Sequence, residues 1–134
     1  MSVIPDMTDE EIRQAIVTDE TEVGNGALLC SSLSTIPTDK IRYVIGLFIF
    51  GDGATSVTCA IQGGTYAATG STISKTYFNA IPVQPAANVQ LPQGGPMNPA
   101  APLFTQSGAT YPNIIGTVSG TTVHVTTVYF DTSI

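Results

Sequence analysis

Alternating apolar and polar positions predict that most of this chain forms short strands. The strongest signal is residues 40–50, where β-branched and aromatic side chains dominate and Tyr43, Ile45, Leu47 and Ile49 share one face. Both faces become apolar toward the end of this segment, which is typical of a strand that is central or covered on its outer side. We therefore expect those four side chains to form the core of the fold.

Glycine-containing turns separate the other strand candidates. Gly51-Asp52-Gly53 predicts a hairpin between residues 40–50 and 55–62, and Ser119-Gly120 predicts a terminal hairpin between residues 113–118 and 121–131. Weaker candidates are residues 65–68, 73–80 and 88–91. About seven short strands with regular turn signals predict an all-β fold, a β-sandwich or jelly-roll-like single domain with a short N-terminal helix.

That helix is marked by its first turn. Thr8 and Glu11 have the spacing of a capping box, and Met7 and Ile12 that of a hydrophobic staple, which predicts a helix over residues 9–17. Its apolar stripe consists of Ile12, Ala15 and Ile16. Because so short a helix is marginal by itself, the stripe must lie against the protein's own sandwich or against another molecule. The pattern leaves both possibilities open.

Charge divides the chain into two regions. The net charge is −6, and the first 23 residues carry seven acidic side chains against one basic side chain, whereas the remainder is neutral. We therefore predict an acidic N-terminal arm at residues 1–23 and a β-sandwich domain at residues 24–134. The arm is either a solvated tail or an element that docks on a basic partner. The lack of a basic patch argues against nucleic acid and anionic membranes as partners.

Residues 92–102 predict a long loop, since they contain four prolines and two glycines in eleven positions. Loops of this length are usually functional or flexible, so this one is either a partner contact or a structural crossover. Taken with the helix stripe, the loop defines the predicted partner-binding residues. These are Ile12, Ile16, Pro92, Pro96, Met97, Pro99 and Pro102.

The sequence gives little support to catalysis. The single histidine, His124, lies mid-strand among threonines, as a structural histidine does, and no nucleophile motif or phosphate loop accompanies it. Cys30 and Cys59 lack metal-site spacing and fit buried thiols better than a disulfide. We predict no catalytic, cofactor-binding or metal-ligating residues and no small-molecule substrate. Sugar recognition would need exposed aromatic side chains, for which the candidates are Tyr66, Tyr77 and Tyr111.

Signals for export are also missing from the pattern. The first residues lack the basic and long apolar regions of a secretory signal, and the most apolar run, residues 43–50, is shorter than the ~20 residues of a membrane span. We expect synthesis in a cytoplasm.

In residues 36–61 a proline-containing turn enters a long apolar strand, and a glycine-containing turn leads to a Thr/Val-rich partner. This pattern resembles small β-sandwich structural proteins of tailed bacteriophages. Residues 88–92, the following loop and residues 123–130 are similar to the ends of such proteins. The resemblance implies a non-enzymatic virion component. The type it implies is a capsid decoration (cement) protein that binds the major capsid protein and copies of itself, commonly as a homotrimer.

A second interpretation is a tail, fibre or baseplate module that recognises a ligand on the host surface. A ligand-sized cleft or exposed tyrosines would favour that interpretation.

Overall fold

The computed structural model describes residues 7–24, 30–53, 55–67, 70–93 and 95–134. Within these ranges the chain forms one helix and nine strands, arranged in two antiparallel sheets. The elements are α1 (Asp9–Ala15), β1 (Val17–Val23), β2 (Cys30–Thr35), β3 (Lys40–Gly51), β4 (Val57–Thr65), β5 (Thr72–Val83), β6 (Asn88–Leu91), β7 (Phe104–Ser107), β8 (Asn113–Val118) and β9 (Val123–Ser133). The predicted all-β sandwich with a short N-terminal helix is confirmed.

Strand order defines the two layers. The first sheet has the order β1-β9-β3. On the side of β3 away from β9, the short strand β7 pairs with the first part of β3 and the short strand β6 pairs with its last part. The second sheet has the order β2-β8-β4-β5. The predicted bounds of β6 and β8 agree with the structure, whereas β1, β2 and β7 were not predicted.

Both predicted hairpins are wrong. β3 and β4 lie in different sheets, as do β8 and β9, so each of these turns carries the chain across the sandwich. β3 pairs instead with β9, from Lys40 opposite Ser133 to Gly51 opposite Val123. These two strands, of 12 and 11 residues, are well matched in length. Turn residues indicate where the chain reverses, but they do not indicate which sheet the next strand joins.

The core lies between the sheets. Apolar side chains from both layers meet there, among them Val23, Leu33, Val44, Leu47, Ile49, Cys59, Ile61, Ile114, Val123 and Val125. Fully burying one such side chain contributes roughly 1.5–3 kcal/mol. This cluster is the main source of the sandwich's stability.

A β-bulge in β3 decides which of its side chains reach the core. Val44 lies opposite Tyr129 and Gly46 lies opposite Val128, so Ile45 is an extra residue without a partner of its own. The alternation of faces therefore shifts by one position at this point.

Because of this bulge, the core face predicted for β3 is only partly right. Leu47 and Ile49 face the second sheet as expected, and Val44 joins them. Tyr43 and Ile45 instead face away from the second sheet, so their assignment to the inter-sheet core was wrong. Regular alternation counted through a bulge places the residues before it on the wrong face.

Tyr43 and Ile45 belong to a second apolar layer, which α1 covers. Ile12 is 2 % exposed and packs on the outer face of the first sheet, the face turned away from the second sheet. This outer cluster consists of Ile12, Ile45, Val128 and Phe130, with Met7, Ala15, Ile16, Tyr43 and Phe48 packed around it. The rings of Tyr43 and Phe130 stack within it at 4.9 Å. The helix stripe therefore lies against the protein's own sandwich.

The start of α1 has the predicted geometry, but its end does not. The backbone N–H of Glu11 donates to the Thr8 hydroxyl at 3.1 Å, and the Thr8 N–H donates to the Glu11 carboxylate at 3.0 Å, so the capping box is confirmed. The helix ends at Ala15 rather than at residue 17, because β1 begins at Val17.

β1 makes part of the acidic segment an edge strand of the first sheet. It pairs with β9 from Val17 to Val23, although its three acidic residues favour strands weakly. The Tyr129 hydroxyl donates to the Asp19 carboxylate at 2.7 Å, and the Thr21 hydroxyl donates to a β2 carbonyl at 3.3 Å. The division of the chain after residue 23 stays a prediction.

A buried arginine connects the two sheets. Arg42, with its side chain 6 % exposed, donates two hydrogen bonds of 2.8 Å to Asp131 and a third to the Ser34 hydroxyl. Its guanidinium lies 3.8 Å from the centre of the Tyr129 ring. Among the described residues no buried side-chain nitrogen or oxygen lacks a hydrogen-bond partner.

The two cysteines are free thiols on either side of β8. Cys30 on β2 pairs with Thr117 of β8. Cys59 on β4, on the opposite side of β8, pairs with the next residue, Val118. Two strand spacings separate them by about 10 Å, beyond the reach of a disulfide. Burial raises the pKa of the Cys59 thiol to about 12, in agreement with the predicted buried thiol. Cys30 is half-buried, so for this residue the prediction is corrected.

Candidate functional site

The outer face of the first sheet is only partly covered by α1. Strand register places two rows of side chains across the open part of this face. The first row is Glu22, His124, Phe50 and Asn88, and the second is Glu20, Thr126, Phe48 and Gln90. Acidic side chains therefore lie on the β1 edge, aromatic ones on β3 and amides on β6.

A groove of about 370 Å³ opens on these rows. It is lined by Glu20, Phe48, Phe50, Asn88, His124 and Thr126. Cavities that hold small ligands begin at roughly 300 Å³ and usually combine apolar walls with a few convergent polar groups. The groove meets both criteria, and it is the candidate site of the described chain.

His124 lies between two carboxylates. Its Nδ1 is 3.3 Å from Glu20 Oε1, and its Nε2 is 3.2 Å from Asp52 Oδ2. A neutral imidazole carries one N–H and can donate to one carboxylate, whereas an imidazolium donates to both. The histidine therefore links β1 to the turn after β3 and fixes the polar end of the groove.

Phe50 is the exposed aromatic side chain of the groove. It is 37 % exposed, and its ring centre lies 6.4 Å from that of His124, with the planes tilted by 35°. Phe48 is half-buried because it also packs on the outer cluster. The site can therefore present one aromatic face beside carboxylate, amide and hydroxyl groups. Among the described residues no group of three or more His, Cys, Asp or Glu side chains could hold a metal ion.

The predicted partner-binding residues of the helix differ in accessibility. Ile12 is buried in the outer cluster, so its side chain is not free to contact a partner, and that part of the prediction is corrected. Ile16 is half-buried at the border of the same cluster. The apolar stripe failed as a docking signal for Ile12 because the protein's own sheet supplies the surface that it needs.

The proline-rich loop reaches the same outer face. Met97 lies over Gly46 on β3 and is 37 % exposed, and the loop is anchored after residue 102 by the Leu103 N–H, which donates to the Val44 carbonyl at 2.8 Å. Pro96 is exposed, whereas Pro92, Pro99 and Pro102 are half-buried. The loop connects β6 and β7, and its contact with a partner stays a prediction.

The aromatic residues proposed for sugar recognition lie elsewhere. Tyr77 stacks on Phe104 at 3.9 Å and donates to Gln106; burial, followed by the neighbouring Tyr111, raises its pKa to about 12. Tyr66 and Tyr111 are half-buried and do not line the groove. The sequence prediction missed the groove residues, whose only sequence signal is the two-sided apolar end of β3.

Within the described chain, no helix is both long enough and apolar enough to cross a membrane.

Comparison with known proteins gives limited results. No family model matches the chain, and no curated protein matches it. Among solved structures, the chain is similar to PirA, with 19 % identity over 95 % of this chain and 98 % of that chain, at a TM-score of 0.41. It is also similar to a protein of Bacillus endospore appendages, described as disulfide-linked pili, with 16 % identity over 87 % and 88 % of the two chains, at a TM-score of 0.37. At these TM-scores neither likeness carries a functional assignment, and neither description names a bacteriophage protein, so the phage resemblance stays a prediction.

Proposed function

We propose that this protein is a non-enzymatic structural subunit that binds its neighbours through the outer face of the first sheet. The observation that carries the proposal is the position of the two segments predicted to contact a partner. Both α1 and the loop at residues 92–102 lie on this face, where Met97 and Phe50 are each 37 % exposed. The outer face of the first sheet thus carries two accessible apolar side chains, one on β3 and one on the loop.

Two of the sheet edges, β1 and β5, are poorly suited to association by strand pairing. β1 presents Asp19, Glu20 and Glu22 at its edge, and charged side chains there discourage pairing with another chain. β5 has three register shifts against β4, and bulges of this kind also interrupt a free edge. These two edges are therefore less suited to the contact than the outer face of the first sheet.

The resemblance of the sequence to phage structural proteins supports a finer proposal. In that proposal the protein is a capsid decoration protein located in the virion, it binds the major capsid protein, and its copies form a homotrimer. The region after residue 23 is neutral overall, so the contact itself would be mainly apolar. Long-range attraction would come from the acidic segment.

Light scattering during size-exclusion chromatography tests the self-association. A homotrimer has about 42 kDa, three times the chain mass of 13.9 kDa. We expect Met97→Asp to yield monomers. Ile73→Asp, the matched control, changes a 40 % exposed side chain on β5 and should leave the trimer intact. A wild-type protein that is monomeric at all concentrations, and does not bind phage heads stripped of their decoration protein, would contradict the proposal.

A second function, recognition of a host-surface ligand, is favoured by the groove. Its volume of about 370 Å³ and its mixed aromatic and polar lining fit a small ligand or the end of a larger one. Binding of fluorescently labelled protein to bacterial cells tests this function. Phe50→Ala should reduce that binding, whereas Ile73→Ala should not.

A further inference from the structure

We propose that the groove binds a neutral carbohydrate, with Phe50 as the surface on which a sugar ring stacks. This proposal rests on the second function proposed above, recognition of a surface ligand. It assigns that function a ligand class and a set of residues. Three features of the groove support it, namely the aromatic face, the polar groups around that face and the charge of the site.

Phe50 provides an apolar face at the centre of the groove. It projects from β3 onto the outer face, and register places it between His124 on β9 and Asn88 on β6. Because Phe50 is 37 % exposed and faces away from the inter-sheet core, its ring is available to a ligand. One face of a sugar ring consists largely of C–H groups, and such a face stacks on an aromatic ring.

The polar groups around Phe50 match the needs of hydroxyl groups. A hydroxyl both donates and accepts hydrogen bonds, so a polyhydroxylated ligand needs donors and acceptors on the same surface. Glu20 supplies acceptors, Asn88 supplies an amide with both functions, and Thr126 supplies a hydroxyl. These groups lie on three different strands around one aromatic ring, an arrangement that can contact several hydroxyls of one ligand.

The charge of the site argues against anionic ligands. Glu20, Glu22 and Asp52 surround His124, so an anionic ligand would be repelled. A cationic side chain would have to compete with His124, which already lies 3.3 Å from Glu20 and 3.2 Å from Asp52. It would also leave the amide donor on β6 unused. A neutral sugar needs no charged partner, so we expect it to bind without displacing these contacts.

The test is a ligand-observed NMR titration of the full-length protein. The probes are glucose, galactose, mannose and their N-acetylated amino sugars; sialic acid serves as an anionic sugar and tetralysine as a cationic peptide. We expect at least one neutral sugar to bind, and sialic acid and tetralysine not to bind. Phe50→Ala should weaken the neutral sugar about tenfold, as expected for loss of an aromatic contact, and Phe50→Tyr should retain binding.

Matched variants separate the site from general effects of mutation. Ile73→Ala, on β5, removes an apolar side chain about as exposed as Phe50 and is the control for Phe50→Ala. Asn79→Ala, also on β5, is the control for Asn88→Ala on β6. Only Asn88→Ala should weaken the sugar. Thermal melts of every variant establish that it is folded.

Three outcomes overturn the proposal. If tetralysine binds in the groove and no neutral sugar does, the ligand class is wrong. If no sugar binds while the wild-type protein adheres to cells in a Phe50-dependent manner, the ligand class is again wrong, but surface recognition stands. If neither sugars nor cells are bound, both the carbohydrate proposal and the second function fail.

Discussion

The side chain of Met97 fills the space that a Cβ atom at Gly46 would need. Gly46 directly follows Ile45, the extra residue of the bulge in β3, and it faces outward beside Val128. The bulge thus places a residue without a side chain where the proline-rich loop crosses the sheet. The loop can therefore cross β3 at this point because the residue beneath Met97 is a glycine.

Replacing this glycine should release the loop. In Gly46→Ala the new Cβ meets the Met97 thioether, which is flexible and partly exposed, so we expect Met97 to move away. The cost in unfolding free energy should be about 1 kcal/mol, and hydrogen exchange in residues 95–102 should become faster. Gly95→Ala is the control, since a Cβ there would meet nothing within 4 Å. Unchanged exchange in Gly46→Ala would show that Met97 does not hold the loop.

The two apolar layers should respond separately to mutation. Leu47→Ala and Ile45→Ala should each lower the free energy of unfolding by about 2–5 kcal/mol, because both side chains are buried. Ile45 shares the outer cluster with Ile12, whereas Leu47 does not. A double-mutant cycle in urea should therefore show coupling of Ile12 with Ile45 and additivity of Ile12 with Leu47. The opposite result would place Ile45 in the inter-sheet core.

The two arginine ion pairs should differ in energy. Arg42→Ala leaves Asp131 and Ser34 without their shared donor inside the sandwich, so the free energy of unfolding should fall by about 3 kcal/mol. Arg13→Ala is the matched control, because Arg13 and Glu10 form an exposed pair at 3.5 Å. Its loss should cost less than about 1 kcal/mol. Equal denaturation midpoints for the two variants would contradict this ranking.

The start of α1 should loosen at low pH. The backbone N–H of Thr8, and then its hydroxyl, lower the pKa of Glu11. The ionised Glu11 carboxylate therefore stabilises the start of α1. Because its folded-state pKa is lowered, this stabilisation is present above the ordinary pKa of a glutamate and is lost as the pH falls through the lowered pKa. Hydrogen exchange at the N-terminus of α1, referenced to an unstructured peptide, should therefore become less protected below about pH 4. In Glu11→Gln this loss of protection at low pH should be absent. A loss of the same size in that variant would show that another group titrates.

The sequence predicted local structure better than pairing. The capping box, β3 and the bounds of β6 and β8 follow from residue patterns within a few positions, and the structure agrees with them. The partner of each strand depends on the other strands, so the pattern of β3 and β4 predicted a hairpin that the sandwich does not contain. The bulge at Ile45 was likewise hidden, because one extra residue leaves the composition of an apolar strand unchanged.

The candidate site was hidden for the same reason. Glu20, Phe50, Asn88 and His124 come from four strands, and only their pairing brings them together. The sequence did predict a helix near residue 9 and a loop at residues 92–102, the two segments that the structure places on the outer face. It could not predict that the helix stripe would be used by the protein's own sheet, since an apolar stripe fits either surface.

We expect the outer face of the first sheet to become buried when the protein binds its partner. Hydrogen exchange measured by mass spectrometry on the self-associated protein, and again after dilution to the monomer, tests it most directly. Association should slow exchange in α1 and in residues 95–102 and leave β5 unchanged. Slower exchange in β5, with no change in α1 or residues 95–102, would show that the contact lies on the second sheet and would contradict the account.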